Sequence, residues 1–290
     1  MNNNMTGLIS AFVRYYHNKN SNIKIYDDKY AELILKENEI FNISKSMSEG
    51  INFFDSSYNG DNPLDWIVNN QLGPSVLARA AFNKHHLINE IKLGLMQYVI
   101  MASGYDTSGY LVNNKVKVYE LDRPFVIEDK KERITSASID NSNVYYIGCD
   151  FNNEWISALL NSNYNTTYKT FCSLLGISYY LDKKIFNDVI SKLSLIIPSG
   201  SAIVFDYPND RESRSEVINK ELAKASNEEM KSIYTYSDIE MIANNSNMLI
   251  YENLYNYDID TTYFYKYNLF NPDNTIKAPS GVSYCLLVKK

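Results

Sequence analysis

The sequence predicts an α/β fold: a doubly wound, mostly parallel sheet of seven strands with helices on both faces, preceded by an N-terminal helical extension. Two observations carry this expectation. First, the apolar run Leu95-Met96-Gln97-Tyr98-Val99-Ile100-Met101 ends in a small-residue turn, Ala102-Ser103-Gly104-Tyr105-Asp106-Thr107, and the chain resumes as Val116-Lys117-Val118-Tyr119-Glu120-Leu121-Asp122. A short apolar run bounded by a glycine turn fits a strand buried in a parallel sheet. Small residues let a ligand approach the backbone, and an acid roughly 20 residues past such a turn is placed to accept hydrogen bonds from a ribose diol. Second, strand-like runs then alternate with helical patterns, the order that builds a parallel sheet.

Taken in order, Leu8, Ile9, Phe12, Val13 and Tyr16 recur at helical spacing, so residues 6–16 read as a helix, 18–22 as a loop and 32–41 as a second helix. Residues 42–63 are polar and rich in glycine, serine and asparagine, a candidate mobile lid. Pro74-Ser75 opens a helix with Ser75 as N-cap and Gly94 just past its end. Further strands are expected at 143–149, 170–178 and 201–207, separated by a helix over 124–135 with Pro124 at its first position and another over 183–197 capped by Asp182. A charged helix over 211–225, a capping box Ser237-x-x-Glu240, and strands at 248–255 and 282–288 as an antiparallel closing pair complete the chain. Residues 1–93 thus form an extension to a core over 94–290, the two making one compact unit.

The turn narrows the ligand. A dinucleotide site wants G-x-G-x-x-G opening into a helix whose N-terminus holds a pyrophosphate. Here only Gly104 is in register: Ala102 takes the first glycine position, Thr107 the last, and Gly109 is out of step. A nicotinamide-dependent reductase is therefore disfavoured, and an adenosine ligand without phosphate fits better. Asp122 either caps the helix beginning at Pro124 or holds the ribose, and its two oxygens allow both. Glu120 points to the same face, further from the strand end. Asp150 and Phe151 close the third strand, where open α/β sheets bind ligands, although Asp150 also suits a plain turn. Arg79, on composition alone, is a solvent-facing or ion-paired arginine.

Residues 102–107 followed by Tyr110 resemble the G-A-G-x-D-T-x-x-Y motif of the leucine carboxyl methyltransferase family, class I, Rossmann-like enzymes that use S-adenosylmethionine (SAM). Met5-Thr6-Gly7-Leu8 is similar to that family's threonine-led start, Ile25-Tyr26-Asp27-Asp28-Lys29-Tyr30-Ala31 to its D-D-P-Y-A segment, and Ala78-Arg79 to its A-R dipeptide. Tyr119 to Pro124 matches Y-E-x-D-x-P, and Gly148-Cys149-Asp150-Phe151 matches the end of its third strand, all in the family's order. The resemblance, to the bacterial O-methyltransferase branch, implies a SAM-dependent enzyme that methylates a carboxylate or hydroxyl of a small-molecule or protein-carboxylate acceptor. It places Ala102, Ser103, Gly104 and Asp106 around the cofactor, Asp122 on its ribose, Asp150 on the adenine amino group and the Phe151 amide beside it. Arg79 then meets the methionine carboxylate, which suits a guanidinium fork. Tyr180 matches a family tyrosine and also reads as a packing residue.

Three residues depart from the pattern. Ala102 replaces a glycine, Ser108 stands where many bacterial relatives have arginine, and Leu175, in Lys169-Thr170-Phe171-Cys172-Ser173-Leu174-Leu175-Gly176, takes the place of a glutamate that contacts the cofactor. A leucine accepts no hydrogen bond from an ammonium, so weak SAM affinity, or a non-catalytic SAM-binding or regulatory protein, is the alternative expectation. Methyl transfer from a sulfonium needs mainly alignment, at about 3–3.5 Å, and exclusion of water. No catalytic residue is therefore legible.

Composition excludes other classes. A net charge of −6 and a pI near 5.2 leave no basic stripe for nucleic acid. No run approaches the ~18 apolar residues of a membrane span, and residues 1–10 lack a signal peptide's charged start and apolar core, so a cytoplasmic protein is expected. Cys149, Cys172 and Cys285, with His17, His85 and His86, show neither metal-ligand spacing nor a disulfide framework. The 25 tyrosines read as compositional bias, since tyrosine packs well on strands.

Overall fold

The computed structural model describes residues 4–153, 155–211, 214–225 and 229–290. Strands β1 (Gln97–Met101), β2 (Lys117–Asp122), β3 (Val144–Gly148), β4 (Thr170–Leu174), β5 (Ala202–Pro208), β6 (Met248–Leu254) and β7 (Val282–Lys289) form a seven-stranded sheet in the order β3-β2-β1-β4-β5-β7-β6. The first five pair in parallel, and β7 runs antiparallel to both β5 and β6, between which it inserts. Strand order reverses between β1 and β4. That reversal is the switch point beyond whose carboxyl ends doubly wound sheets bind ligands.

Among the described residues, six α-helices precede the sheet: α1 (Met5–Asn20), α2 (Ala31–Ile34), α3 (Glu37–Glu49), α4 (Ile51–Phe54), α5 (Pro63–Ile67) and α6 (Gly73–Lys92). The others are α7 (Pro124–Ser136), α8 (Trp155–Leu160), α9 (Lys183–Ile196), α10 (Arg214–Ala225), α11 (Tyr236–Asn245), α12 (Asn256–Ile259) and α13 (Tyr265–Phe270). Successive strand residues point to opposite faces, and the two faces bury different helices. Val99, Leu121, Cys172 and Phe205 pack with Trp155 of α8, Phe186 of α9 and Ile239 of α11. Tyr98, Val118, Phe171 and Val204 pack with Ala78 and Phe82 of α6 and with Phe264. The N-terminal helices add a third cluster, in which Phe12, Ile43, Met47 and Phe54 meet Tyr105 and Tyr110 of the turn after β1.

Several boundaries differ from the sequence reading. The stretch 42–63, whose type the residues leave open, is largely helical in α3 and α4, where Ile43, Met47 and Phe54 bury in one cluster with Leu8 and Phe12 of α1. The helix expected over 32–41 breaks where Leu35 turns extended, with φ −90° and ψ 137°, and restarts at Glu37, whose Glu39 carboxylate accepts from the Lys36 amide. Residues 18–20, expected as loop, are still helical. Ser75 is no N-cap: helix begins at Pro63, capped by Asn62, and passes through a π turn, Val68–Leu72, into α6. Proline inside a helix lacks a donor and clashes with the preceding turn, and the wider π turn, with Gly73 N bonded to Val68 O, admits Pro74. A Cβ on Gly73 would lie 2.4 Å from the Val68 oxygen, so only glycine fits there.

Further along, β4 stops at Leu174 rather than running on to 178. Asp182 holds the N-cap position of α9 without making a side-chain cap bond. The capping box of α11 is Thr235 with Asp238, two residues ahead of the expected Ser237 and Glu240, because Thr235 holds the extended cap conformation at φ −87° and ψ 165°. Of the charged helix expected over 211–225, residues 214–225 are helical and 212–213 lie outside the described residues, as do 1–3 of the N-terminal stretch. Among the described residues, no helix is long and apolar enough to cross a membrane.

Candidate functional site

At the carboxyl ends of β1 to β4 lies a cavity of about 380 Å³, within the range of small-molecule sites. All eight candidate ligand residues, Arg79, Ala102, Ser103, Gly104, Asp106, Asp122, Asp150 and Phe151, line it, and so do Leu175 and Tyr180. Glu120 does not: it is buried beneath the turn, 2.6 Å from Lys130 of α7.

The turn after β1 is shaped by its backbone. Ser103 N donates to Leu121 O at 3.0 Å, carrying the β1 to β2 contact past the strand end, and Asp106 N donates back to Ser103 O at 2.8 Å. Ala102 and Gly104 both take positive φ, 52° and 44°. That conformation costs a residue with a Cβ roughly 1–2 kcal/mol, so Ala102 holds a glycine's geometry under strain. A single 3-10 turn, Ser108–Leu111, follows in place of an α-helix, with Asp106 Oδ1 accepting from Ser108 N at 2.7 Å. Gly109 is pressed on the sheet, where a Cβ would sit 2.9 Å from Val118 Cγ1. The turn therefore does not open into an α-helix of its own that could hold a pyrophosphate, in line with the broken glycine fingerprint.

Asp122 is not the cap of α7; that position is Arg123, without a side-chain cap bond. The carboxylate instead ties the turn together. Its Oδ2 accepts from Gly104 N and its Oδ1 from Arg123 N, both at 2.7 Å. Burial, opposed by these backbone bonds, pushes its carboxyl above the ordinary value. Each oxygen retains a second lone pair, so the residue can organise the turn and still accept from a diol. Asp150 closes an Asx turn onto Asn152 N at 3.0 Å. Cys149 also lines the cavity, but burial and the nearby Asp122 and Asp150 push its thiol up to about 12, which opposes formation of a thiolate near neutrality.

Arg79 is ion-paired, with a partner the sequence reading assigned no role. Its Nη1 lies 3.5 Å from Asp206 Oδ2 and its Nη2 donates to Ser10 Oγ at 3.1 Å. Asp206, fully buried at the end of β5, also accepts from Gly176 N at 2.6 Å and from the Tyr179 hydroxyl at 3.1 Å. Gly176, at φ 69°, lies so close to the guanidinium that a Cβ would come within 2.8 Å of Nη1. The fork is thus held between β4, β5 and α1. An acid between the apolar run Ile203-Val204-Phe205 and Tyr207 was the available signal, since a buried charge requires a partner.

Two further features escaped the sequence reading. Asn83, one helical turn beyond Arg79 on α6, donates Nδ2 to the Tyr98 hydroxyl at 2.8 Å; that hydroxyl also meets Ser108 and Ser173. Among the described residues, Asn83 Oδ1 and Ser103 Oγ are buried at the cavity with no hydrogen-bond partner, a cost of roughly 1–3 kcal/mol each that a polar ligand removes. Separately, α1 clamps the turn: Arg14 Nη2 donates to Tyr105 O at 2.7 Å, and Asp28 accepts from Arg14 Nε and from Thr107 Oγ1, both at 2.8 Å.

The chain is similar to known proteins along most of its length. The family model described as leucine carboxyl methyltransferase matches residues 7–194. YktD of Bacillus subtilis strain 168, named as a candidate S-adenosyl-L-methionine-dependent methyltransferase, is 35% identical over 99% of this chain and 98% of its own. In fold, a crystal structure of a DUF574 family protein from Streptomyces avermitilis superposes with a TM-score of 0.62 at 15% identity, covering 97% of both chains. A candidate methyltransferase from Thermobifida fusca gives 0.53 at 14% identity, over 84% of this chain and 94% of that one. Given the motifs in family order, the sheet they sit on and this match across more than half its length, the chain belongs to the leucine carboxyl methyltransferase family of SAM-dependent methyltransferases.

Proposed function

We propose that this protein transfers a methyl group from SAM to an oxygen, carboxylate or hydroxyl, of its acceptor. The observation that carries the reading is the convergence of the glycine turn, Asp122, Asp150 and Arg79 on one cavity at the switch point. The donor set suits SAM. Asp122 accepts from the ribose, Asp150 and the Phe151 amide serve the adenine edge, Arg79 takes the methionine carboxylate, and the unpartnered Asn83 Oδ1 and Ser103 Oγ offer neutral acceptors. When bound, SAM supplies a methyl group already activated by the sulfonium, and the chain's task is to orient the acceptor and exclude water. The helices of residues 1–93 serve as the cover, since Arg14 and Asp28 hold the turn from that side.

SAM and S-adenosylhomocysteine, but not NAD, are expected to raise the melting temperature, because a ligand that binds the native state stabilises it. No shift at millimolar ligand would sink the reading. Within it, Asp122→Asn should weaken SAM binding by about 1.5–3 kcal/mol, the range for a bond to a charged group. The variant should also lower stability without ligand, because its amide nitrogen must face either the Gly104 or the Arg123 N–H. Unchanged calorimetric titration of SAM would remove Asp122 from the cofactor's contacts.

One observation favours a second reading, a SAM-binding protein without turnover: Leu175 offers the cavity an apolar wall where the family's glutamate is expected. Under the first reading Leu175→Glu tightens SAM binding by about 1–2 kcal/mol through a charge-assisted bond, at some cost in stability from desolvating the carboxylate. Equal or weaker affinity in a folded variant shows that another group already meets the ammonium. Formation of S-adenosylhomocysteine in the presence of acceptor separates catalysis from binding alone.

A further inference from the structure

A second cavity, of about 530 Å³, adjoins the first, and the two share Thr6, Ser10, Val76, Arg79, Gly176 and Tyr180 in their linings. Its wall is built by α1, α3, α4 and the π turn, and Ile9, Ile43, Met47, Phe54 and Leu72 give it an apolar lining. Among the described residues that line it, Arg79 is the single charged group; there is no aspartate, glutamate, histidine or lysine. Arg79 lines both cavities.

From this arrangement we infer that the methyl acceptor is a small carboxylic acid with a long apolar body, seated with its hydrocarbon in the second cavity and its carboxylate beside Arg79, whose five N–H donors it shares with Asp206, Ser10 and the cofactor's carboxylate. The inference rests on the methyltransferase reading and adds the acceptor's chemistry. A hydroxyl acceptor needs a base to take its proton, and among the described residues the second cavity's lining holds no carboxylate or imidazole. Tyr179 is a buried phenol held well above its ordinary pKa, first by burial and then by the Asp206 charge. Asp206 lies outside both cavities, spent on Gly176, Tyr179 and Arg79. A carboxylate arrives ionised and needs no base. Its oxygen forms the new bond to the methyl carbon as the carbon to sulfur bond breaks with its electron pair going to sulfur; the two charges cancel, no proton moves, and a methyl ester leaves. A protein C-terminus fits the apolar stretch of this wall, Ile9, Ile43, Met47, Phe54 and Leu72, less well than a hydrocarbon does, because backbone amides and carbonyls seated there would be buried without partners. The flexible thioether of Met47 and the aliphatic neighbours instead suit a hydrocarbon.

The test is calorimetric titration of the full chain, saturated with S-adenosylhomocysteine, with octanoate, decanoate and dodecanoate. Affinity should rise about fourfold per added methylene, the value of burying one CH₂. Dodecanol should bind about tenfold or more weakly than dodecanoate, having lost the charge-assisted bond to Arg79, and a short peptide ending in leucine should bind more weakly still. Met47→Lys should reduce dodecanoate affinity more than tenfold with S-adenosylhomocysteine affinity retained. Phe53→Lys should act in the same direction at a residue 46% exposed, where lysine is tolerated by the fold. Affinity independent of chain length, a peptide binding better than dodecanoate, or full dodecanoate affinity in both folded variants would overturn the inference. Any of these with S-adenosylhomocysteine still bound leaves the methyltransferase reading standing; failure of the wild-type chain to bind S-adenosylhomocysteine overturns both.

Discussion

Lys130→Met is expected to destabilise the protein by about 3–5 kcal/mol, the cost of breaking a buried ion pair from one side. Glu120 in β2 and Lys130 in α7 are 0% and 1% exposed and 2.6 Å apart, and no solvent reaches the pair. Burial first, and the Asp106 charge after it, push the Glu120 carboxyl up, with Lys130 pulling it back. Around them stand the Tyr110 ring, 5.7 Å from the ammonium, and the Tyr110 hydroxyl, 3.0 Å from that of Tyr146. Remove the lysine and Glu120 is left either charged without a partner or protonated among phenols. The double variant Glu120→Gln, Lys130→Met removes both charges and should recover much of the loss, because apolar or neutral replacement of a whole buried pair is often close to neutral. Urea unfolding of the single and double variants measures this. A single variant within 1 kcal/mol of wild type, on the order of a surface change, would show that the pair contributes little.

This pair also marks where sequence reading stops. Alternation along β2 put Glu120 and Asp122 on one face and ranked the nearer one as the ligand, which needed only the strand's period and its end. That Glu120 is closed off by Lys130 depends on how α7 packs back over the strand, a tertiary fact. The same holds for Arg79. Its helix and its place before β1 were legible, whereas its partner Asp206 lies four strands away along the chain, on β5. The turn, the acid after it and the third-strand end were legible because their chemistry is local: positive φ, small side chains and an acid at a strand terminus. Pro74 misled for a local reason too, since proline usually marks a helix's first turn and the π turn that admits it leaves no pattern in the residues. The second cavity was invisible because it is made by segments of the extension whose apolar residues, Ile43, Met47 and Phe54, are sparse within polar surroundings.

Acid should loosen the extension through His17, and this is the other large effect expected. His17 is 1% exposed at the end of α1, where its Nε2 accepts from Ile25 N at 2.9 Å and its Nδ1 meets Ser21 Oγ at 3.1 Å. An acceptor at Nε2 requires the neutral ring with its proton on Nδ1. Burial first, and the Lys24 charge second, push its pKa down to about 4. An unfolded histidine titrates near 6.5. The native pKa is the lower one, so the stability this group contributes is present above about pH 6.5 and falls as pH drops toward 4, where the unfolded chain holds a proton the native chain refuses. At about 1.4 kcal/mol per unit the loss approaches about 3 kcal/mol across that window. His17→Gln keeps an acceptor for Ile25 and removes the titration, so its stability should be nearly flat where the wild type declines. Glu39 and Asp129 act in a lower window: burial opposes their ionisation, the Arg133 hydrogen bonds outweigh it, and their contribution is lost only as pH falls through those depressed values. Both proteins share that loss, so the difference between them isolates His17. Urea midpoints at about pH 7, 5.5 and 4.5 decide it, and parallel declines in wild type and variant would assign the acid sensitivity elsewhere. Ile25 leads directly to Asp28, which holds Arg14 and Thr107, so protonating His17 loosens the segment that clamps the nucleoside turn.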